Sequence, residues 1–294
     1  MSRRSAAVDP LRDPAVPEGL SIDLLKDLHL LTRDGQLNAD ARRKLKQIRH
    51  LIGLLKPALD DAFARHQAPA IVDCGAGKSY LGFLLYELVI GPAGRGQLTS
   101  IESRPELISD GAARAARYAH ERFQFVRGHI ADAGAALPAA QVVVALHACD
   151  TATDDALVLG ISKDADHLAV VPCCQAEVAR QLDAPLPPPA ARALGDQALI
   201  QHPLQRREFG SHLTNVIRGL CLEALGYKIT VTELVGWEHA LKNELILAKR
   251  VRRFDEKAAQ TLDDLLRRWQ VRPSLVESLR RLGRDPTAPA GAPP

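Results

Sequence analysis

The chain has 294 residues, 46% hydrophobic and 25% charged, and its 38 Lys and Arg against 35 Asp and Glu leave a formal net charge of +3. These values exclude a wholly disordered, collagen-like or coiled-coil chain, and they exclude a globally basic partner for nucleic acid or membrane, which a local patch must meet instead. Aromatic residues make up only 4% and methionine occurs once, so the core is aliphatic, which suits Val/Ile-rich strands buried between helices.

Residues 1–20 carry Pro10, Pro14 and Pro17 without periodicity and are expected to be a flexible tail, followed by a helical region over 21–66. Between Asp40 and Arg65, Ile48, Leu51, Ile52, Leu55, Leu59 and Phe63 recur at helical spacing, with Arg42, Arg43, Lys44, Lys46 and Arg49 making the first half basic. A short apolar strand, Ala70 to Cys74, is stopped by Gly75-Ala76-Gly77, and Leu81, Leu84, Leu85, Leu88 and Val89 then give a helix. The alternation continues with strands at 97–102, 123–127, 141–146 and 167–171, and with helices at 105–121 and 151–160. Four prolines at 185, 187, 188 and 189 forbid a long helix across 181–203, which reads as a surface loop or lid. A helix over 204–225 precedes two last strands, 228–234 and 244–248, whose nine-residue connection makes them antiparallel neighbours. The expected fold is α/β: a Rossmann-like sheet over 67–250 with helices on both faces, a helical appendage over 251–283 and a disordered tail over 284–294. No window approaches a membrane span, no signal peptide is read, and five cysteines without C-x-x-C spacing point to reduced thiols in the cytoplasm.

The first glycine turn, Asp73-Cys74-Gly75-Ala76-Gly77-Lys78-Ser79, contains a Gly-Lys-Ser that is not a P-loop, because the glycine required five residues earlier is Val72. It is not a dinucleotide fingerprint either, because Tyr80 stands where the third glycine belongs. What remains is D-x-G-x-G after a buried strand, with Glu102 at the carboxyl end of the next strand. Glycines admit a ligand close to the backbone, and a carboxylate at that tip accepts hydrogen bonds from two ribose hydroxyls, so a nucleoside without phosphates fits.

This order of parts resembles the class I S-adenosylmethionine-dependent methyltransferases, whose seven-stranded sheet ends in a reversed hairpin. The resemblance implies S-adenosyl-L-methionine as cofactor, with Asp73, Gly75 and Gly77 facing its methionine part, Glu102 holding the ribose and Ile130 lying against adenine beside the weaker polar contact His129. The later segments Leu146-His147-Ala148-Cys149-Asp150-Thr151-Ala152-Thr153-Asp154 and Pro172-Cys173-Cys174-Gln175 are more specific. They resemble a methyltransferase family with LHACG-x-ATD and PCC(H) motifs and, more distantly, eukaryotic tRNA 2′-O-methyltransferases. Asp150 stands here for glycine and Gln175 for histidine.

Both segments border the cofactor if they cap neighbouring strands. An imidazole titrates near working pH, so His147 is the candidate general base, with Asp150 as an alternative base or as the group that orients the acceptor. His147 also counts among the cofactor contacts. Cys149, Cys173 and Cys174 have three readings: a nucleophile toward a pyrimidine, ligands of a zinc ion with His147, or small buried hydrophobes. Packing is favoured, and no metal is expected. Basic residues at 42–49, 205–207 and 249–253 suit an RNA backbone, although no interleaved aromatics support stacking. RNA is therefore the expected acceptor, with ribose 2′-O of tRNA as its finest form; a protein or small-molecule acceptor, or a non-catalytic RNA-binding module on the same scaffold, are the alternatives. No membrane or DNA partner is expected.

Overall fold

The computed structural model describes residues 16–185, 192–234, 244–251 and 254–288, apart from the side chain of His147. In chain order the elements are α1 (Ile22–Asp27), α2 (Ala39–Arg65), β1 (Ala70–Cys74), α3 (Tyr80–Leu85), a π-helical turn (Tyr86–Ile90) running into α4 (Gly91–Ala93), β2 (Gln97–Glu102), α5 (Pro105–Arg117), β3 (Phe123–Arg127), α6 (Ile130–Ala135), β4 (Val142–Cys149) and α7 (Thr151–Ser162). There follow β5 (His167–Cys173), α8 (Glu177–Asp183), α9 (Leu194–Ile200), α10 (Pro203–Ala224), β6 (Tyr227–Glu233), β7 (Glu244–Arg250), α11 (Glu256–Trp269) and α12 (Ser274–Arg281).

The strands form one 7-stranded sheet in the order β3-β2-β1-β4-β5-β7-β6. Strands β1 to β5 pair in parallel, and β7 runs antiparallel to both β5 and β6. The α/β sheet with a reversed last strand is therefore as expected. Adjacent residues of β1 and β4 point to opposite faces and into different cores: Ile71, Val142 and Val144 pack with α2 and α3, whereas Val72, Cys74, Val143 and Ala145 pack with α7 and α10.

Several boundaries differ from expectation for physical reasons. Strand β4 continues through His147 and Cys149, because a bulge between Leu146 and Cys149 restores pairing to Cys173. Strand β5 passes through Pro172, which is tolerated because the pairing with β7 ends at Val170. Within 181–203, α9 interrupts what reads in sequence as a continuous loop, and α8 stops ahead of Pro185; residues 186–191 lie outside the described residues.

At the ends, Val16 and Leu20 are buried against the α2 layer, so packed chain begins ahead of residue 21. The helices read as an appendage are built into the domain: Leu262, Leu266, Trp269, Leu275, Val276 and Leu279 belong to the core that also holds Val72 and Ala145. Arg284 carries the chain on by pairing with Asp164 at 3.3 Å. The expected tails over 1–15 and 289–294 lie outside the described residues.

Candidate active site

The parallel strands β1, β2 and β4 end together at one edge of the sheet, where the chain must turn and backbone groups are left for a ligand. After β1, Gly75 and Gly77 take φ of +66° and +57°, left-handed values that side-chain-bearing residues rarely adopt. The turn is tied to β2 twice: Ala76 donates its N–H to the Ile101 carbonyl at 3.1 Å, and Gly77 donates to Glu102 Oε2 at 2.9 Å. A cavity of about 380 Å³ opens above it, within the range of small-molecule sites. Its floor includes Asp73, Gly75, Gly77 and Leu146, and α2 supplies Lys44 and Ile48 as its wall.

The two carboxylates here are held at opposite ends of their range. Burial, reinforced by the neighbouring Glu102 charge, pushes Asp73 up to about 7. Burial also acts to raise Glu102, but hydrogen bonds from the Arg104 side chain and from the Arg104 and Gly77 backbone outweigh it and hold Glu102 at about 2. Arg104 reaches this carboxylate through Nε at 3.0 Å and Nη2 at 3.2 Å while its own side chain remains exposed. The Gly128 N–H donates to the Glu102 carbonyl at 3.1 Å, which brings the turn before α6 against the same strand tip. Ile130 begins α6 and is buried with Val72 and Ile101; it is not among the walls of the cavity.

His147 lies in β4, one residue past Leu146, and its side chain lies outside the described residues. Asp150 is placed unlike the base expected of it. Its Oδ1 accepts the N–H groups of Ala176 at 3.0 Å and Glu177 at 3.3 Å, and Oδ2 pairs with Arg180 at 3.1 Å. Burial raises this carboxyl, but those donors outweigh it and leave it below the ordinary carboxylate value, a poor proton acceptor. Asp150 thus clasps the start of α8 and adopts φ +48°, a conformation suited to the glycine of the related motif.

Beneath it runs a buried network that the motif reading missed. Arg218 of α10, 1% exposed, donates through Nε to Asp154 Oδ1 at 2.7 Å, through Nη1 to Asn215 Oδ1 at 3.1 Å and through Nη2 to the Asp150 carbonyl at 2.9 Å. Gln175 donates to Asn215 at 3.1 Å and accepts from Ser211 at 3.0 Å, so the residue in place of histidine serves this network. An arginine inside the apolar run Val216-Ile217-Arg218-Gly219-Leu220 was the available sequence signal.

The three cysteines do converge. Their Sγ atoms all lie within 4.8 Å of one another, with Cys149 and Cys173 at 3.6 Å. Cys149 and Cys174 are exposed, which departs from the packing role favoured by sequence. Burial, with the adjacent thiols, pushes Cys173 up to about 12.

Among the described residues of the three basic runs, those of α2 reach the cavity. Lys249 pairs with Asp61 beside His167, at the start of β5 and so at the opposite edge of the sheet, and Arg206 pairs with Asp183. The segment containing Glu238, His239, Lys242 and Asn243 lies outside the described residues. Among the described residues, no helix is long and apolar enough to cross a membrane.

Residues 43–181 match the family model described as a methyltransferase domain. The fold is also similar to an rRNA methylase from Streptococcus thermophilus, with 9% identity and a TM-score of 0.43 over 68% of this chain and 96% of that one. An SAH-bound methyltransferase from Podospora anserina gives 10%, 0.44, 81% and 89% for the same quantities, and a precorrin-6y C5,15-methyltransferase from Geobacter metallireducens gives 13%, 0.40, 67% and 87%. No curated protein matches the chain. The matched stretch and the sheet order around it give this chain a methyltransferase domain over residues 43–181.

Proposed function

We propose that this chain transfers a methyl group from S-adenosylmethionine to RNA. The observation that carries the RNA reading is the position of α2. Arg42, Arg43, Lys44, Lys46 and Arg49 are all exposed on its first three turns, and Lys44 and Ile48 of the same turns wall the cavity. A phosphate backbone following that helix is led to the cavity mouth, with each contact adding salt-dependent affinity.

The residues present fit the cofactor. Two left-handed glycines keep the turn free of side chains, Asp73 offers a carboxylate to a cationic group, and Glu102, held ionised, offers acceptors to ribose hydroxyls. Ile130 is assigned the adenine side and His147 both a cofactor contact and the acceptor proton. Asp150 is assigned a positioning role, since its clasp on α8 fixes the turn that follows His147 and Cys149. When bound, the cofactor supplies an electrophilic methyl group; the chain's part is to align an acceptor and remove its proton. A ribose 2′-O of tRNA is the finer form of this proposal.

Incubation with tritiated-methyl S-adenosylmethionine and total RNA or total protein from cells lacking the enzyme tests it. Label in RNA is expected, and His147→Ala is expected to lose it while still binding S-adenosylhomocysteine, more weakly for the contact removed. Label confined to protein overturns the RNA reading, and absence of cofactor binding by calorimetry overturns the whole proposal.

A further inference from the structure

Consecutive residues of a strand point to opposite faces, so Cys173 and Cys174 would ordinarily diverge. Here Cys174 takes φ +53°, and that left-handed step turns its thiol back toward the other two. The third thiol arrives on the neighbouring strand β4, where the shifted register after Leu146 sets Cys149 opposite Cys173. Two irregularities on neighbouring strands thus converge on one point, and backbone strain of this kind concentrates at functional sites.

We propose that Cys149, Cys173 and Cys174 form a binding site for a zinc ion, with the fourth position open to solvent beside the cofactor cavity. Zn–S bonds of about 2.3 Å in a tetrahedron require sulfur atoms about 3.8 Å apart. The 3.6 Å between Cys149 and Cys173, and the common limit of 4.8 Å for all three, need only small side-chain rotations to reach it. Three thiolates select a soft or borderline ion over magnesium or calcium. The exposure of Cys149 and Cys174 leaves room for a water or an incoming donor atom as the fourth ligand. Ala148, between His147 and Cys149, lies where a Cβ on Gly75 would contact it at 3.8 Å, so the thiols border the glycine turn. The ion would stand next to the glycine turn, and the site does not rest on the RNA reading.

The test uses the full chain, purified reduced and stripped with a chelator. Titration with cobalt(II) is expected to give a saturable thiolate-to-metal charge-transfer band that zinc displaces, and zinc is expected to raise the thermal midpoint. Cys149→Ser and Cys174→Ser, at exposed positions, should lose the band and the zinc-dependent shift while keeping the metal-free midpoint and S-adenosylhomocysteine binding. No saturable band in the reduced wild type, or a band unchanged in both variants, overturns the proposal. So does a Cys149–Cys173 disulfide that persists under reducing conditions, since it leaves too few thiolates.

Discussion

At the scale of single residues, the carboxylates that share a motif differ in charge state. Asp73 is raised to about 7 from the ordinary aspartate value of 3.8, so the stability associated with its neutral form is full below pH ~4 and is lost as pH rises through 7. Unfolding midpoints of the cofactor-free protein should fall between pH 5 and 8, and Asp73→Asn should flatten that fall. A positive sulfonium prefers the ionised form, so the preference for S-adenosylmethionine over the neutral S-adenosylhomocysteine should grow across the same range in wild type only, by calorimetry. Arg218 presents the opposite case, a charge fully buried with its partner. Arg218→Met leaves Asp154 desolvated and unpaired and should cost about 3–5 kcal/mol in denaturant unfolding, with much of it recovered by adding Asp154→Asn. The D-x-G-x-G turn and Glu102 were legible in sequence because each residue type has few other uses at that spacing. Asp150 was not, because a carboxylate beside a candidate histidine reads the same whether it takes a proton or caps a helix. Only its contacts with Ala176, Glu177 and Arg180 separate the two.

At the scale of elements, the strands were the most legible part, since short Val/Ile runs bounded by turn residues have one reading in an alternating chain. Their ends were less so: the bulge after Leu146 depends on a partner strand that sequence does not display. Helix packing was not legible at all. Gly210 of α10 lies so close to α8 that a Cβ would fall 2.7 Å from the Ala179 Cα, a backbone atom that cannot rotate away. Gly210→Ala should therefore force α8 and α10 apart and destabilise by about 1–3 kcal/mol, despite the better helix propensity of alanine. Because Asp150 clasps the start of α8, the same variant should also disturb the turn after β4, and reduced turnover should accompany the lower unfolding midpoint.

For the molecule as a whole, α2 spans 27 residues, about 40 Å, from the cavity to the far edge of the sheet, where Arg65 meets Asp166 at 2.7 Å. Its basic half thus faces the site and its other half anchors the layer. Arg43→Ala and Lys46→Ala should weaken RNA binding and reduce the slope of log affinity against log salt by roughly 0.7 for each lost contact, with cofactor affinity unchanged, in filter-binding assays. The charge at the site also has an accounting of its own. Glu102 accepts from Ser103, from Gly77 and from Arg104 through backbone and side chain. On the proposed assignment of the ribose to Glu102, its hydroxyls would take this carboxylate from Arg104, an exchange of donors rather than a gain of them. Its heat is then a small difference between two similar bonds, and the displaced guanidinium becomes a cation newly offered to the cleft. On that proposal, polyanion affinity and cofactor occupancy would be tied to the position of one exposed side chain.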